Sequence, residues 1–354
     1  MKVVITGGGT GGHLFPALAV AEEITALGGK VLLVGSGRKI EKLVAERTPY
    51  QVKYLPVEGV LGRAFSAKVR ALGKMFVATG KALKILKEFS PQVVLGVGGY
   101  ASVPVMLAAR LASIKRAIHE QNAVPGRANL FLAKLAHRIL VTFPESKAHF
   151  PEERTVVTGM PVRKEITCGL REHDGIGLLV TGGSQGAHRL NELIVKVFPL
   201  LFERVPTVRL FHQTGERDFS WVKEAFREFS DKVVVKPFFH DMGWAYAQAD
   251  LVLARAGAST VAEVATLQKP AIFIPYPYAI GDHQFHNAKV LARRGGALVM
   301  REEELSEEKL LDTLSALLAD EGRRQKMAQS LSGVLPQNAA EIIVKELEEL
   351  IAYA

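Results

Sequence analysis

Two histidines occupy matching positions in two glycine-rich turns that lie 175 residues apart. The first turn reads Thr6-Gly-Gly-Gly-Thr-Gly-Gly-His13, and the second reads Thr181-Gly-Gly-Ser-Gln-Gly-Ala-His188. A neutral imidazole can accept a proton near pH ~7, which is the step that activates a sugar hydroxyl for attack. His13 is therefore a candidate general base, and His188 is a weaker one. The alternative for His13 is a histidine that only hydrogen-bonds to its own loop.

The first turn also matches the dinucleotide-binding fingerprint, with glycines at Gly7, Gly9 and Gly12. Proteins that bind NAD in this way carry an acidic residue at the end of the second strand, where it holds the ribose. Here that region reads Gly35-Ser-Gly-Arg38, which disfavours NAD. Arg38 leaves an NADP-dependent reductase as a distant alternative, because arginine can bind the 2′-phosphate. A purely structural glycine turn is the other alternative.

A third stretch, Arg255-Ala-Gly257-Ala-Ser-Thr260-Val-Ala-Glu263, follows a predicted strand and opens a predicted helix. The first N–H groups of a helix have no intrahelical partner and lie at its positive dipole end, so they suit a diphosphate. Ser259 and Thr260 add hydroxyl donors, and Glu263 can accept both hydroxyls of a ribose. The alternative is a capping box, in which Thr260 and Glu263 only start the helix.

Amide side chains cluster in two further motifs, His119-Glu-Gln-Asn122 and Asp282-His-Gln284-x-x-Asn287. Amides pair donors and acceptors with sugar hydroxyls and acetamides, although solvated loop residues are the alternative for both clusters. The spacing of His283 and His286 indicates a metal only weakly, because no third and fourth ligands stand nearby in the sequence. The sequence also contains no Asp-x-Asp pair. We therefore expect no metal and no cofactor, with helix dipoles stabilising the leaving group.

A basic, amphipathic stretch lies between Lys68 and Lys87. Its residues of interest are Arg70, Lys74, Phe76, Lys81 and Lys84. Basic amphipathic helices bind anionic membranes, so we expect these five residues to form a membrane or acceptor surface. Gly73 and Gly80 weaken the helical pattern, and a packed helix with a solvated lysine face is the alternative. Nucleic acid is not expected as a partner, because no basic motif with interleaved aromatics is present.

The chain that must position these residues has 354 residues, of which 48% are hydrophobic and 23% are charged. This composition is typical of a folded enzyme, and the length predicts two domains. The single cysteine, Cys168, cannot form an intrachain disulfide, which fits a reducing compartment. The sequence begins directly with a strand pattern, without the apolar segment of a signal peptide. No run reaches the ~18 apolar residues of a spanning helix, so we expect only peripheral membrane contact.

Charge is distributed unevenly along the chain. Up to Met160 there are 22 lysines and arginines against 10 aspartates and glutamates, and after it there are 23 against 26. No aspartate precedes Asp174. The first half is therefore expected to attract anionic partners such as lipid headgroups or phosphates.

Short β-branched runs alternate with helical patterns in both halves, which is the order of a nucleotide-binding α/β unit. The predicted strands are 3–5, 31–34, 93–95, 116–119 and 139–143 in the first half, and 176–180, 208–212, 233–237, 251–254 and 271–275 in the second. The pattern predicts two doubly wound parallel sheets facing each other across a cleft, with ligands at the carboxyl ends of the strands. Pro16 is expected to open the first helix.

Glycine and proline in Gly159-Met-Pro-Val-Arg163 place the domain boundary near residue 160, where the pattern restarts. We divide the chain into an N-terminal domain of residues 1–160, a C-terminal domain of residues 161–336 and a final segment of residues 337–354. The final segment carries apolar residues at helical spacing from Asn338 to Tyr353. We expect this helix to cross back onto the first domain.

Together these motifs resemble glycosyltransferase family 28, the family of the peptidoglycan N-acetylglucosaminyltransferases. The motifs that carry the resemblance are Gly7-Gly-Gly-Thr-Gly-Gly-His13, Gly98-Gly-Tyr-Ala-Ser102, His119-Glu-Gln-Asn122, Gly182-Gly-Ser-Gln-Gly-Ala187, Gly257-Ala-Ser-Thr-Val-Ala-Glu263 and His283-Gln-x-x-Asn-Ala288. They occur in the family's order, and with the C-terminal helices they cover essentially the whole chain. The resemblance implies a GT-B fold, in which the N-terminal domain binds acceptor and membrane and the C-terminal domain binds UDP-GlcNAc.

The implied reaction is the inverting transfer of N-acetylglucosamine from UDP-GlcNAc to the C4 hydroxyl of the muramoyl sugar of lipid I. Lipid I is an undecaprenyl-diphosphate-linked muramoyl pentapeptide, and the product is lipid II. The resemblance also implies a peripheral membrane protein on the cytoplasmic face of the cell membrane. A UDP-GlcNAc epimerase of related fold is the nearest alternative in another reaction class.

By motif, the resemblance assigns His13 as the base and a set of donor-binding residues. The donor-binding set is Thr10, Gly11, Gly12, Asn122, Arg163, Ser184, Gln185, Gly186, Phe239, Ala258, Ser259, Thr260, Glu263 and Gln284. Within this set, Ser184 and residues 258–260 are expected at the diphosphate, Glu263 at the ribose and the main chain of Phe239 at the uracil. The sugar is expected next to Asn122, Arg163 and Gln284.

Two positions depart from the family's pattern. Met160 stands where an asparagine before the proline is common, and Phe239 stands where an isoleucine is found. His283 also competes with Gln284 for the contact with the donor sugar, because the segment before it differs in length.

Overall fold

The structure is a computed structural model that describes residues 1–8, 11–38, 41–42, 46, 48–57, 65–162, 164–167 and 169–352. For residues 11, 65–72 and 164–165 it describes the backbone alone. Two compact units are present. Unit 1 consists of Met1–Arg163 and Pro336–Ala354, and unit 2 consists of Lys164–Leu335.

Unit 1 is built on a seven-stranded parallel sheet. Its strands are β1 (Lys2–Thr6), β2 (Lys30–Gly35), β3 (Gln51–Tyr54), β4 (Val93–Gly96), β5 (Lys115–Glu120), β6 (Arg138–Val141) and β7 (Thr155–Val157), in the spatial order β3-β2-β1-β4-β5-β6-β7. The central strands are continuous apolar runs because both faces of the sheet are covered. Register pairs Val3 with Val31 on one side and with Val93 on the other. The carboxyl ends of β1, β4 and β5 therefore lie along one edge.

The described helices of unit 1 flank this sheet. They are α1 (Gly11–Ala26), α2 (Phe65–Phe89), α3 (Ser102–Leu111), α4 (Arg127–Ala133) and, from the end of the chain, α12 (Ala339–Ala352), with 3₁₀ turns at Pro144–His149 and Glu152–Arg154. Helix α1 begins at Gly11, before the expected start at Pro16. Pro16 lies beyond the first turn of this helix, where it has no N–H to donate to the Gly12 carbonyl.

Unit 2 repeats the plan with a six-stranded parallel sheet. Its strands are β8 (Ile176–Thr181), β9 (Val208–Gln213), β10 (Val233–Lys236), β11 (Leu251–Ala254), β12 (Ala271–Phe273) and β13 (Ala297–Val299), in the order β10-β9-β8-β11-β12-β13. Its helices are α5 (His188–Arg204), α6 (Phe219–Ala225), α7 (Met242–Gln248), α8 (Ala258–Thr266), α9 (His283–Arg293), α10 (Glu307–Ala319) and α11 (Glu321–Ser330). Short 3₁₀ turns lie at Lys164–Thr167, Arg227–Phe229, Ile280–Asp282 and Glu302–Glu304.

The last helix belongs to the core of unit 1. Ile343 and Leu347 of α12 are fully buried in the same apolar cluster as Val3 and Ile5 of β1 and Ile24 of α1. Burying side chains of this size contributes about 1.5–3 kcal/mol each. Unit 1 is thus assembled from the two ends of the chain.

The predicted class of two doubly wound parallel-sheet units is confirmed. Three strands were not predicted, namely β3, β7 and β13. None of the described helices is both long enough and apolar enough to span a membrane.

Candidate active site

The carboxyl ends of β1, β4 and β5 bring three sequence motifs of unit 1 together. Gly98, in the turn after β4, has a φ of +92°, and a Cβ placed on it would lie 3.0 Å from Cε1 of His13. Gly99 approaches the first turn as closely, because a Cβ there would lie 2.4 Å from the carbonyl oxygen of Gly8. The Gly98-Gly99 turn therefore lets the imidazole and the first glycine turn pack directly against the end of β4.

His13 lies in the first turn of α1 and is partly buried. Its Nδ1 is 3.0 Å from Oε1 of Gln121, the residue that follows β5. Gln121 is 1% exposed, and its Nε2 donates to the carbonyl oxygen of Val97 at 2.9 Å. The ring of His13 is thus held by a buried amide from a neighbouring strand end.

His119, two residues before Gln121, is also buried. Its Nε2 lies 3.0 Å from the carbonyl oxygen of Gly159. Burial lowers the pKa of His119 to about 4, so this imidazole is neutral at pH ~7. His119 therefore lies in the interior of unit 1, where it contacts Gly159 near the end of the segment Met1–Arg163.

Asn122 is fixed by a buried carboxylate. Glu120 is 1% exposed, and its Oε1 accepts from the backbone N–H of Asn122 at 2.9 Å and from the side-chain Nδ2 at 3.1 Å. Its Oε2 accepts from Gly126 and Asn129 at 3.1 and 2.9 Å. The loop after β5 is rigidly organised, and the Nδ2 group of Asn122 is engaged within it.

In unit 2, the glycine turn after β8 is held by a residue that the sequence did not single out. Gln213, at the end of β9, is 3% exposed, and its Nε2 donates to the carbonyl oxygen of Gly183 at 3.0 Å. Its Oε1 accepts from the backbone N–H of Phe239 at 2.8 Å. Gln213 thus links the turn that carries Ser184, Gln185 and Gly186 to the main chain of Phe239. The exposed Gln185 and the partly buried Ser184 lie at the tip of this turn.

The N-terminus of α8 lacks a side-chain cap. Gly257 is the N-cap residue, and the first helical N–H to find a backbone acceptor is that of Val261, which donates to the Gly257 carbonyl at 3.0 Å. The N–H groups of residues 258–260 come before this first helical hydrogen bond, so they have no acceptor within the helix. The Ser259 hydroxyl is buried and has no hydrogen-bond partner among the described residues. These donors have the chemistry of an anion site, with the positive end of the helix dipole behind them.

Arg255 does not provide a charge at this helix end. Its guanidinium is 8% exposed and donates to the carbonyl oxygens of Ile274 and Pro275, both at 3.1 Å, and to Glu302. Asn287 of α9 donates from Nδ2 to the Ala256 carbonyl at 3.3 Å. Both side chains instead fix the backbone that leads into α8.

The capping-box alternative for Thr260 and Glu263 is wrong, because Gly257 is the N-cap and both residues lie inside α8. The Glu263 carboxylate accepts the Tyr246 hydroxyl at 2.9 Å. Burial, and then the charge of Glu263, raise the pKa of Tyr246 well above its ordinary value, so the phenol stays protonated and donates. Tyr246, on α7, orients Glu263 one turn from the open helix end.

Gln284 and His283 begin α9 next to the loop after β12. The Gln284 Oε1 accepts from the backbone N–H of Tyr276 at 2.9 Å. The His283 Nδ1 lies 2.9 Å from the Ile280 carbonyl, to which it donates. Each side chain keeps a further nitrogen for a ligand, so the geometry does not choose between them.

Helix α2 is a single helix across Gly73 and Gly80. Phe76 is 76% exposed and Val77 is 57% exposed, on the same face as the exposed Lys81 and Lys84. Lys74 is partly buried, and Lys84 has Glu88 at 3.9 Å. This face therefore presents exposed apolar side chains beside lysines. A solvated lysine face would need no exposed apolar side chains.

Some predicted site residues lie outside the described residues. They are Thr10 and Arg163, together with the side chain of Arg70. Gly11 and Gly12 are the first residues of α1. Gln213 and Tyr246, which organise the site of unit 2, were missing from the predicted residues, and Gln121 was noted only as a member of the amide cluster at residues 119–122. The signal for Gln121 and Gln213 is a polar residue at the end of an otherwise apolar strand, whereas Tyr246 had no signal of its own.

Comparisons with known proteins agree over the whole chain. The family described as glycosyltransferase family 28 N-terminal domain matches residues 3–141, and the glycosyltransferase family 28 C-terminal domain matches residues 177–345. The chain is 44% identical to a Geobacter metallireducens protein named UDP-N-acetylglucosamine--N-acetylmuramyl-(pentapeptide) pyrophosphoryl-undecaprenol N-acetylglucosamine transferase, over 98% of both chains.

Two solved structures are also similar. Acinetobacter baumannii MurG is 31% identical with a TM-score of 0.79, and the match covers 98% of this chain and 99% of that one. UDP-GlcNAc 2-epimerase from Neisseria meningitidis is 15% identical with a TM-score of 0.68, over 99% of this chain and 100% of that one. At that identity the second likeness shows the fold alone.

Proposed function

The chain belongs to glycosyltransferase family 28, and from that premise we propose how its residues carry out hexosyl transfer. It is a UDP-GlcNAc-dependent transferase that adds N-acetylglucosamine to lipid I in peptidoglycan synthesis. The epimerase alternative is not favoured, because it rests on fold likeness at 15% identity.

The donor is assigned to unit 2, and the open N-terminus of α8 is the observation that carries this assignment. The UDP diphosphate accepts from the N–H groups of residues 258–260 and from the Ser259 hydroxyl, which has no partner among the described residues. Glu263 accepts the ribose hydroxyls, with Tyr246 holding one carboxylate oxygen. The turn at Ser184 completes the phosphate contacts, and Gln284 or His283 meets the sugar.

The uracil contact is assigned to the main chain of Phe239. The N–H of Phe239 already donates to Gln213, so its carbonyl oxygen is the group that remains to accept the uracil N3–H. A substitution of isoleucine by phenylalanine leaves a main-chain contact intact. Gln213 then positions both the phosphate turn and the base contact.

The acceptor is assigned to unit 1, with His13 as the general base. His13 removes the proton from the C4 hydroxyl while that oxygen forms a bond to C1 of the sugar from the face opposite UDP. The C1–oxygen bond to UDP breaks, and UDP leaves with the electron pair. Negative charge grows on the β-phosphate, where the dipole and N–H groups of α8 stabilise it more strongly than in the ground state.

The exposed face of α2 is assigned to the anionic, cytoplasmic face of the cell membrane, where the polyprenyl tail of lipid I resides. Phe76 and Val77 insert among the acyl chains while Lys81 and Lys84 meet lipid headgroups. The positive balance of the first half supports this orientation, because it would also attract the acceptor diphosphate.

Product analysis tests the reaction. We expect UDP release from UDP-GlcNAc to require lipid I and to yield lipid II. UDP release that ignores lipid I, with an epimerised sugar as product, would overturn the assignment. A crystal structure with UDP-GlcNAc would test the donor site directly, since a donor bound away from the N-terminus of α8 would remove the roles of Ser259 and Glu263.

A further inference from the structure

We propose that Gln121 is a positioning residue that fixes His13 in the tautomer with its proton on Nδ1, so that Nε2 is the nitrogen that receives the proton of the acceptor hydroxyl. The proposal rests on the proposed function, in which His13 is the base. It adds that Nε2 of His13 is the atom that accepts the proton and that Gln121 is the residue that selects this nitrogen.

The orientation of the Gln121 amide follows from its backbone neighbours. A carbonyl oxygen can only accept, so the nitrogen of the amide must face the carbonyl of Val97, 2.9 Å away. The same nitrogen lies 3.1 Å from the carbonyl oxygen of His119. The amide oxygen is then the atom that lies 3.0 Å from Nδ1 of His13. An oxygen without a proton can only accept, so Nδ1 of His13 must carry the hydrogen.

The neighbouring imidazole supports the same orientation. Nε2 of His119 must donate to the Gly159 carbonyl at 3.0 Å, which leaves Nδ1 of this neutral ring as an acceptor. That Nδ1 lies 3.1 Å from the Gln121 nitrogen. A reversed amide would place two acceptors against each other here and two more at Val97. The backbone carbonyls of Val97 and Gly159 can only accept. They therefore fix which atom donates in each hydrogen bond that links them, through His119 and Gln121, to His13.

This tautomer is the opposite of the one that solvent favours. A free neutral histidine side chain in water prefers its proton on Nε2, which would leave the lone pair on the nitrogen that faces Gln121. Both Gln121 and His119 are 1% exposed, so water does not compete with this chain of hydrogen bonds. The buried amide therefore supplies a bias that the imidazole does not have by itself.

Other titratable groups face the same space. Glu41 and Tyr54 line a cavity together with His13, and His119 lies behind Gln121. The Glu41 carboxylate is held by the backbone N–H groups of Ser36 and Gly37, both at 2.7 Å. The pH dependence of kcat would reflect all of these groups together, so the decisive measurement must report on the His13 ring itself.

Histidine-selective ¹⁵N labelling of the full chain, read by two-bond ¹H–¹⁵N correlation spectra, distinguishes the two tautomers of each ring. The His13 signals are those that disappear in His13→Gln. We expect neutral His13 in the wild type to carry its proton on Nδ1. A wild-type ring protonated on Nε2 would overturn the proposal, and the tautomer itself is read in the wild-type protein.

The variant Gln121→Leu replaces the amide with an apolar side chain and so removes the hydrogen-bond acceptor for His13. We expect the Nε2-protonated tautomer to appear and kcat to fall about tenfold or more, within the ~10²–10⁴-fold contribution of a general base. KM for UDP-GlcNAc should stay within about twofold, because the donor is bound elsewhere. An unchanged tautomer with unchanged kcat would contradict the proposal.

Asn129→Leu is the matched control. Asn129 is a buried amide that donates to the same His119 carbonyl at 3.1 Å and to Glu120 at 2.9 Å, so its loss removes comparable interior hydrogen bonds. We expect it to leave the His13 tautomer as in the wild type. The outcomes also separate this proposal from the proposed function, because unchanged turnover in His13→Ala would remove the base assignment while the spectra still decide what Gln121 does.

Discussion

In unit 1 the histidine after the first glycine turn meets a neutral amide, whereas its counterpart in unit 2 lies between two carboxylates. His13 bonds through Nδ1 to Gln121. His188 has Asp218 at 2.9 Å from Nδ1 and Glu192 at 3.4 Å from Nε2, and its side chain is 53% exposed. The two turns share a sequence pattern, but their histidines have different electrostatic surroundings.

In the proposed function this difference matters, because His13 beside a neutral amide accepts a proton, whereas His188 is held by the carboxylate of Asp218. Burial raises the pKa of Asp218, but hydrogen bonds from Asn191 and His188 outweigh it, so the pKa lies below its usual value. Asp218 is therefore a stable anion that anchors His188. In the proposed function, similar motifs thus serve catalysis in one unit and structure in the other.

The paired variants His13→Ala and His188→Ala test this contrast with the largest expected effect. Loss of a general base should lower kcat by ~10²–10⁴-fold in His13→Ala. His188→Ala should stay within about threefold, because His188 takes no part in the proposed proton transfer. Initial rates of UDP release at saturating donor and lipid I measure both. Equal losses in the two variants would abolish the distinction between the units.

Glu263→Ala sharpens the comparison by testing whether unit 2 binds the donor. Loss of a hydrogen-bonded carboxylate costs about 1.5–3 kcal/mol, so KM for UDP-GlcNAc should rise about 10–100-fold with little change in kcat. Steady-state kinetics against donor concentration measure this effect. Glu263→Gln is the control, because it keeps an acceptor for the Tyr246 hydroxyl and should show a smaller rise. An unchanged KM in Glu263→Ala would remove Glu263 from the donor site.

Loss of stability in acid should be a property that both units share. Burial lowers the pKa of His119 to about 4 and that of His212 to about 3, whereas both groups titrate near ~6.5 in the unfolded chain. Their contribution is complete above pH ~6.5 and is lost as the pH falls towards the folded values, because mainly the unfolded chain takes up these protons. The free energy of unfolding should drop by about 2 kcal/mol per histidine between pH ~6.5 and ~5.

Urea unfolding across this pH range measures the loss. In His212→Gln one of the two titrations is removed, so its urea midpoint should depend less on pH than that of the wild type. A variant with the full wild-type pH dependence would show that His212 does not supply its part of the acid sensitivity.

The smallest expected effect concerns the surface of unit 1. Each lysine near an anionic bilayer contributes about 1 kcal/mol, so Lys81→Gln with Lys84→Gln should weaken binding to vesicles that contain phosphatidylglycerol by about tenfold or more. The control exchanges two exposed basic residues of unit 2, Arg323→Gln with Lys326→Gln. Vesicle flotation measures binding, and equal losses in both double variants would place the membrane surface elsewhere.

The sequence predicted the central strands well and the edges poorly. Strands such as β4 are fully buried on both faces, so they appear as continuous apolar runs. Strand β3 is mostly exposed, at the edge of its sheet, and β7 and β13 are three residues long. Short edge strands have little burial to shape their composition, so their pairing depends on the neighbouring strand rather than on their own pattern.

The site was predictable where one motif contains all of its contacts. The helix opening at residues 258–260 follows from local sequence alone, although the same spacing also fits a capping box. The structure decides against the box because Gly257 is the N-cap of this helix. Gln121 and Gln213 act through residues far along the chain, which meet them only when parallel strands align. Local patterns cannot specify such contacts.

Helix α12 also constrains how the protein is made. The ribosome synthesises the sheet of unit 1 first, yet Ile343 and Leu347, which close its core, emerge only after unit 2. At synthesis rates of about 5–20 residues per second, the intervening segment takes roughly ten to thirty seconds to translate. Through that interval the apolar residues of the N-terminal sheet that pack against α12 stay uncovered. The core of unit 1 can be completed only after unit 2 has left the exit tunnel of the ribosome.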